Sequence, residues 1–144
     1  MTVQKILETK QSDAVICVDP ATRMSEAAAI LAEKRIGSVV VSADGRSAVG
    51  ILSERDIVRE LAHRGAACLE DRVETHMTPD VQSCTLSDTS EQVMARMTEG
   101  RFRHMPVVEN GQMVGLITLG DVVKARLTEL SMEKNALEGM IMGF

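Results

Sequence analysis

Short apolar runs and helical apolar stripes alternate along this chain, and the alternation runs through twice. Val3, Ile6 and Leu7 share one face of a short helix expected over residues 3–9. Ala14-Val15-Ile16-Cys17-Val18 is a compact apolar strand closed by Asp19-Pro20. From Met24 to Lys34 the period lengthens, and Ala27, Ala28, Ile30 and Leu31 make an apolar helical face with Thr22 upstream as its cap. Residues 38–41 are strand-like, Asp44-Gly45 marks a tight turn, and residues 48–52 return as the partner strand. The stretch Gly50-Ile51-Leu52-Ser53-Glu54-Arg55-Asp56-Ile57-Val58-Arg59 then reads as a buried strand end, a sharp stop and a helix. Ser53 suits the N-cap, and Asp56 three residues later completes the S-x-x-D form of a capping box. This helix is expected to bury Ile57, Val58 and Leu61 and to stop at Gly65.

The same order returns in the second half. Residues 81–85 predict a short strand, and a helix from about Ser90 packs Val93, Met94 and Met97. Residues 104–108 form a strand, Asn110-Gly111 the turn, and residues 113–117 the return strand. Thr118 opens the last helix with Asp121 three residues on. Gly50 maps to Gly115 and Asp44-Gly45 to Asn110-Gly111, which leaves the second hairpin one residue shorter, an indel placed in a loop. The expected organisation is a first repeat over 1–65 with its N-terminal helix, an ordered connector over 66–80, a second repeat over 81–130 and a helical extension over 131–144. Neither half buries enough to be very stable alone, so the two are expected to pack as one pseudo-twofold body with related clefts at the interface. Leu127, Leu130, Leu137 and Met140 or Ile141 continue at helical spacing. That further stripe either meets a partner helix or folds back on its own module.

Composition narrows the function. With two Phe and no Trp or Tyr, the core is aliphatic, with ten Met as adaptable filler. Few aromatics and a net charge of −5 argue against nucleic acid as the main target. No apolar signal-peptide core follows the first residues, and no run is long enough to span a bilayer, so a cytoplasmic setting without a membrane is expected. Cys17, Cys68 and Cys84 are too scattered for a disulfide framework or a close-spaced metal site, and Cys17 and Cys84, in apolar strand-like contexts, read as buried, inert thiols. His63 and His76 read as ordinary polar residues. No Ser/His/Asp arrangement, metal cluster or P-loop lysine points to an enzyme.

The duplicated βαββα unit and its two strand–cap–helix motifs resemble a tandem pair of CBS domains, the modules named after cystathionine beta-synthase. Val73-Glu74-Thr75-His76-Met77-Thr78 and Arg103-His104-Met105-Pro106-Val107-Val108 add to the resemblance, which covers about residues 2–130. It implies an α+β fold: two βαββα repeats, small mixed sheets and an extended C-terminal helix. It also implies an adenosine-containing ligand held between the repeats: AMP foremost, with ADP, ATP, NAD(H) or S-adenosylmethionine as the other candidates and no catalytic cofactor. The resemblance places Asp56 and Asp121 on the ribose hydroxyls and Ser53 and Thr118 near ribose or phosphate. An ionised Asp offers strong acceptors to a vicinal diol, and a helix N-terminus favours an anion. Thr22 matches a position that lines the family's cleft, whereas its counterpart Asp88 would repel an anion. Positive charge is concentrated at Arg101, Arg103 and His104; of these Arg103-His104, just before Met105-Pro106, matches a position that holds phosphate in the family, and Arg55 is a further cation.

Arg101, Arg103 and His104 have only Arg35 opposite them in Arg35-Ile36-Gly37-Ser38, and Arg55 faces Gly120, so the two clefts are expected to be unequal. Read without the duplication, Ser53/Asp56 and Thr118/Asp121 are helix caps and the basic segment a solvated strand entrance. Two functions follow: a stand-alone adenine-nucleotide sensor that signals to an unknown target protein, or an interaction scaffold with empty clefts. A homodimer is expected in either case, with Val58, Leu61, Leu127 and Leu130 as its apolar contacts.

Overall fold

The computed structural model describes residues 1–10 and 15–142. In the first repeat β1 (Cys17–Val18), α2 (Met24–Lys34), β2 (Ser38–Val41), β3 (Gly50–Ser53) and α3 (Glu54–Arg64) follow in order, preceded by α1 (Val3–Thr9). A 3-10 turn (Gly65–Glu70), the single-turn helix α4 (Val73–His76) and β4 (Thr78–Pro79) form the connector. The second repeat contributes α5 (Ser90–Gly100), β5 (His104–Glu109), β6 (Gln112–Thr118) and α6 (Leu119–Ile141). The first sheet has the order β1-β2-β3-β4, with β1 parallel to β2 and the other neighbours antiparallel. The connector donates an edge strand to the first repeat. Ala14, assigned to the first strand by its apolar run, lies outside the described residues.

The two hairpins differ more than a one-residue indel. In the second, Asn110 and Gly111 both take positive φ (52° and 75°), so pairing runs through Glu109↔Gln112 to the turn itself. In the first, Asp44 Oδ1 accepts the backbone N–H groups of Arg46 and Ser47 and the Ser42 hydroxyl. This Asx arrangement bulges the chain between Val41 and Gly50, which are the last paired residues. The tight Asp44-Gly45 turn is thus a longer loop. The strand expected over 81–85 shrinks to a single parallel bridge, Cys84↔Val107. Asp88 Oδ2 accepts the Thr85 N–H and turns the chain away after Cys84.

Two aliphatic cores lie under the two repeats, and each is completed by a helix from the other end of its neighbour. Val3 and Ile6 of α1 pack with Val93, Met97, Met105, Val107, Ile117 and Val122 of the second repeat. Val73 of α4 packs with Met24, Leu31, Val39 and Leu52 of the first. Backbone bonds repeat this exchange at matched positions. Val3 N–H donates to Asp88 O and Val73 N–H to Thr22 O, while Gln4 donates to Leu86 O and Glu74 to Pro20 O. In the other direction, Ser90 donates to Met1 O and Met24 to Asp71 O. The N-terminal helix assigned to the first repeat by its place in the chain therefore packs on the second. A further bond from Met113 N–H to Arg46 O joins the hairpins.

The outer helical faces correct one expectation and decide between two alternatives for another. Ile57 of α3 is buried, but Val58 is 64% and Leu61 38% exposed, because α3 turns a single apolar row inward. On α6 only Val122 and Ala125 are buried; Leu127, Leu130, Leu137, Met140 and Ile141 stand in solvent. The stripe does not fold back on its own module. Cys84 is buried, and burial pushes its thiol up to about 11. Cys68 is also buried; Cys17 is half-buried and raised, by desolvation first and Asp44 second. No described helix is long and apolar enough to cross a membrane.

Candidate functional site: two unequal clefts between the repeats

Both strand–cap–helix motifs fold as complete capping boxes. The Ser53 hydroxyl accepts the Asp56 N–H while Asp56 Oδ2 accepts the Ser53 N–H at 2.9 Å. Thr118 and Asp121 repeat this, with Thr118 N–H to Asp121 Oδ2 at 2.9 Å. A third box, Thr89 with Gln92, starts α5. The capping reading thus holds for both aspartates, and what distinguishes them is their surroundings.

A cleft of about 580 Å³ opens between the start of α3, the connector after α4, and the loop from α5 into β5. Ser53, Arg55 and Asp56 line it from the first repeat; Arg101, Arg103, His104 and Thr118 line it from the second. The basic segment therefore faces the aspartate of the opposite repeat. Arg101 ends α5 with φ 56°, a left-handed turn that swings residues 102–104 across the cleft. Arg55, Arg101 and Arg103 make no ion pair with another described residue. Ile51, Val81, Phe102 and Leu119 give the same cleft an apolar surface, whereas Glu54 and Asp80 bring negative charge to it.

His104 contributes differently from the arginines. Burial, and then the neighbouring Arg103 charge, hold its pKa below the ordinary 6.5, so the ring is neutral at pH 7. As a neutral ring it adds no positive charge to that of the arginines lining the cleft. It also lines the second cleft, so one imidazole stands in the wall between the two.

The second cleft, about 360 Å³, is lined by Lys10, Ile16, Ile36, Ser38, Leu116 and Thr118 among others. Asp121 lies behind this lining: its Oδ2 holds the Lys10 ammonium at 2.8 Å as well as the Thr118 N–H. Asp56, with a side chain only 7% exposed, keeps its place in the wall of the larger cleft. Its Oδ1 meets Arg59, one turn along α3, at 3.1 Å. Arg59 in turn touches Glu60, which His76 approaches at 3.5 Å. His76 also bonds Asp71 at 2.7 Å, and bonds from Arg64 and then His76 hold the Asp71 carboxyl below its usual range. His76 is therefore a polar residue whose two ring nitrogens tie the connector to α3 through Asp71 and Glu60.

Three expected site residues lie elsewhere. Met105 is fully buried in the second core, on the opposite face of β5 from His104. Pro106 is buried too, and its carbonyl accepts the Cys84 N–H. Thr22 lines neither cleft; it does not cap α2, whose N-cap is Arg23, and its backbone is tied to Asp19 and to Val73 of α4. The turn at Asp19 carries it into the seam of helix exchange. Sequence reasoning missed Phe102, Asp80 and Lys10. Phe102 sat inside the basic segment, but the other two are brought to the clefts by the exchanged connector and α1.

Comparison with known proteins supports this architecture. The model of the family described as CBS domain matches residues 7–63 and again residues 72–128. The crystal structure of the CBS-domain containing protein ATU1752 from Agrobacterium tumefaciens is similar at 45% identity and a TM-score of 0.82, covering 88% of this chain and 99% of that one. An uncharacterized 17.7 kDa protein of Acidianus ambivalens is 33% identical over 91% of this chain and 76% of its own length. The CBS domain pair of protein MJ0100, in complex with 5'-methylthioadenosine and S-adenosyl-L-methionine, is 25% identical with a TM-score of 0.75, over 87% of this chain and 98% of that one.

Proposed function

Because the chain belongs to the CBS-domain family, as a tandem pair, we propose that it is a non-catalytic regulatory module whose larger cleft binds an adenine nucleotide. Occupancy of that cleft is then passed to a partner protein. One observation carries the reading: the larger cleft gathers a ribose-type acceptor, Asp56, and three guanidinium groups from opposite repeats into one space. Its volume of about 580 Å³ falls within the range of roughly 300–1,000 Å³ usual for small-molecule sites. Ile51, Phe102 and Leu119 supply apolar surface for a base. The adenosine-type ligands in the MJ0100 complex support the class of ligand. The arginines favour a member that carries phosphate, AMP first, because a planar guanidinium gives phosphate paired, charge-assisted bonds.

Isothermal titration with AMP, ATP and NADH tests this reading, and silence from all three favours the empty-cleft scaffold instead. The Arg103→Ala variant sharpens the test. It is expected to lower AMP affinity about tenfold or more, the loss of a charge-assisted bond, while adenosine binding stays within about twofold. Equal losses for AMP and adenosine would mean that Arg103 shapes the cleft without holding phosphate.

The assembly proposed for the module is a homodimer. Val58 and Leu61 of α3 and Leu127 and Leu130 of α6 are exposed apolar side chains on helices with an uncovered face. Sedimentation equilibrium at micromolar concentration is expected to give twice the chain mass of 15.6 kDa. A monomer under those conditions would remove the proposal.

A further inference from the structure

The geometry points to Lys10 as the residue that decides which cleft accepts a nucleoside. We propose that its ammonium occupies, on Asp121, the position a ribose diol would take, so that the chain binds adenine nucleotide in the larger cleft alone. The inference rests on the nucleotide reading above and deepens it. Lys10 Nζ stands 2.8 Å from Asp121 Oδ2 and donates a second bond to the Leu116 carbonyl, also at 2.8 Å. The two side chains are 25% and 21% exposed, so the pair is screened less than a surface ion pair. Lys10 and Leu116 line the smaller cleft while Asp121 does not. A diol arriving there would meet the lysine, not the carboxylate.

The larger cleft lacks this obstruction for two reasons. Asp56 receives its cation, Arg59, from its own helix, and Arg59 is outside the lining, so the carboxylate stays in the wall. The exchanged helices also bring opposite charges to matched places. Val3 and Val73 make the reciprocal backbone bonds of the exchange, and Lys10 and Asp80 follow each by the same interval. Asp80 lines the larger cleft and, as a carboxylate, cannot lock Asp56. Lysine at one place and aspartate at the other makes the duplication functionally single.

Titration calorimetry with AMP tests the inference on the full chain, with thermal unfolding by circular dichroism to confirm that each variant is folded. The wild type is expected to bind one AMP per chain. Lys10→Met keeps an apolar stem of similar length, removes the charge and is expected to add a second, weaker site, its affinity raised about tenfold or more over the wild-type cleft. Adding Asp121→Ala to Lys10→Met is expected to remove that second site again. Two wild-type sites, one of them lost in Lys10→Met, would make Lys10 a phosphate ligand and overturn the inference. One site in both proteins would overturn it while leaving the nucleotide reading intact. No binding by either would defeat both.

Discussion

Replacing Asp56 with alanine is expected to cost the larger cleft about 10- to 100-fold in AMP affinity, with only a small loss of stability. A hydrogen bond to a charged group contributes roughly 1.5–3 kcal/mol, and each 1.4 kcal/mol is tenfold in affinity. The same carboxylate closes the capping box on Ser53, a role worth about 1 kcal/mol, so the melting temperature should fall by a few degrees. Arg59 keeps Glu60 when Asp56 is removed, which limits the damage on that side. Asp56→Asn separates the two roles, since its amide oxygen still accepts the Ser53 N–H but carries no charge for the diol. The expected pattern is near-normal melting with weakened AMP binding in Asp56→Asn, and both losses in Asp56→Ala. An Asp56→Ala protein that melts lower yet binds AMP normally would reduce this residue to a cap.

Local chemistry explains how much of this was legible in the sequence. The two strand–cap–helix motifs could be read because a capping box is written in four consecutive residues, and Ser53/Asp56 and Thr118/Asp121 satisfy themselves. The Asn110-Gly111 turn was equally local. The exchange of α1 and α4 was not legible, because an apolar face such as Val3/Ile6 is satisfied as well by one repeat as by the other. Lys10 was lost with it: nothing near it in the chain announces a partner on α6. Val58 and Leu61 misled for a related reason. Their spacing with Ile57 is that of an apolar face, but of the three only Ile57 is buried within the chain, and periodicity does not tell a core face from an outer one.

Gly50→Ala is expected to destabilise the protein by about 1–3 kcal/mol, whereas Gly115→Ala, its counterpart in the other repeat, should stay near neutral. The difference lies in what each added methyl would meet. At Gly50 it would stand 2.5 Å from Met77 Sδ and 2.8 Å from the Thr78 carbonyl oxygen. The thioether can turn aside, but the carbonyl belongs to β4, held against β3 by the Gly50↔Pro79 and Ile51↔Thr78 pairing. Relief requires β4 to move, and the residues that follow it line the larger cleft. At Gly115 the nearest atoms are Leu7 Cδ1 and Cδ2, at 2.9 and 3.1 Å, the free end of a partly buried side chain with other rotamers available. Thermal unfolding of the two variants side by side checks the stability claim, and AMP titration checks its reach. Gly50→Ala should lose both stability and affinity, because one edge strand carries the helix exchange and the floor of the cleft together. If Gly115→Ala fell as far as Gly50→Ala, α1 would be as rigidly seated on the second repeat as β4 is on the first.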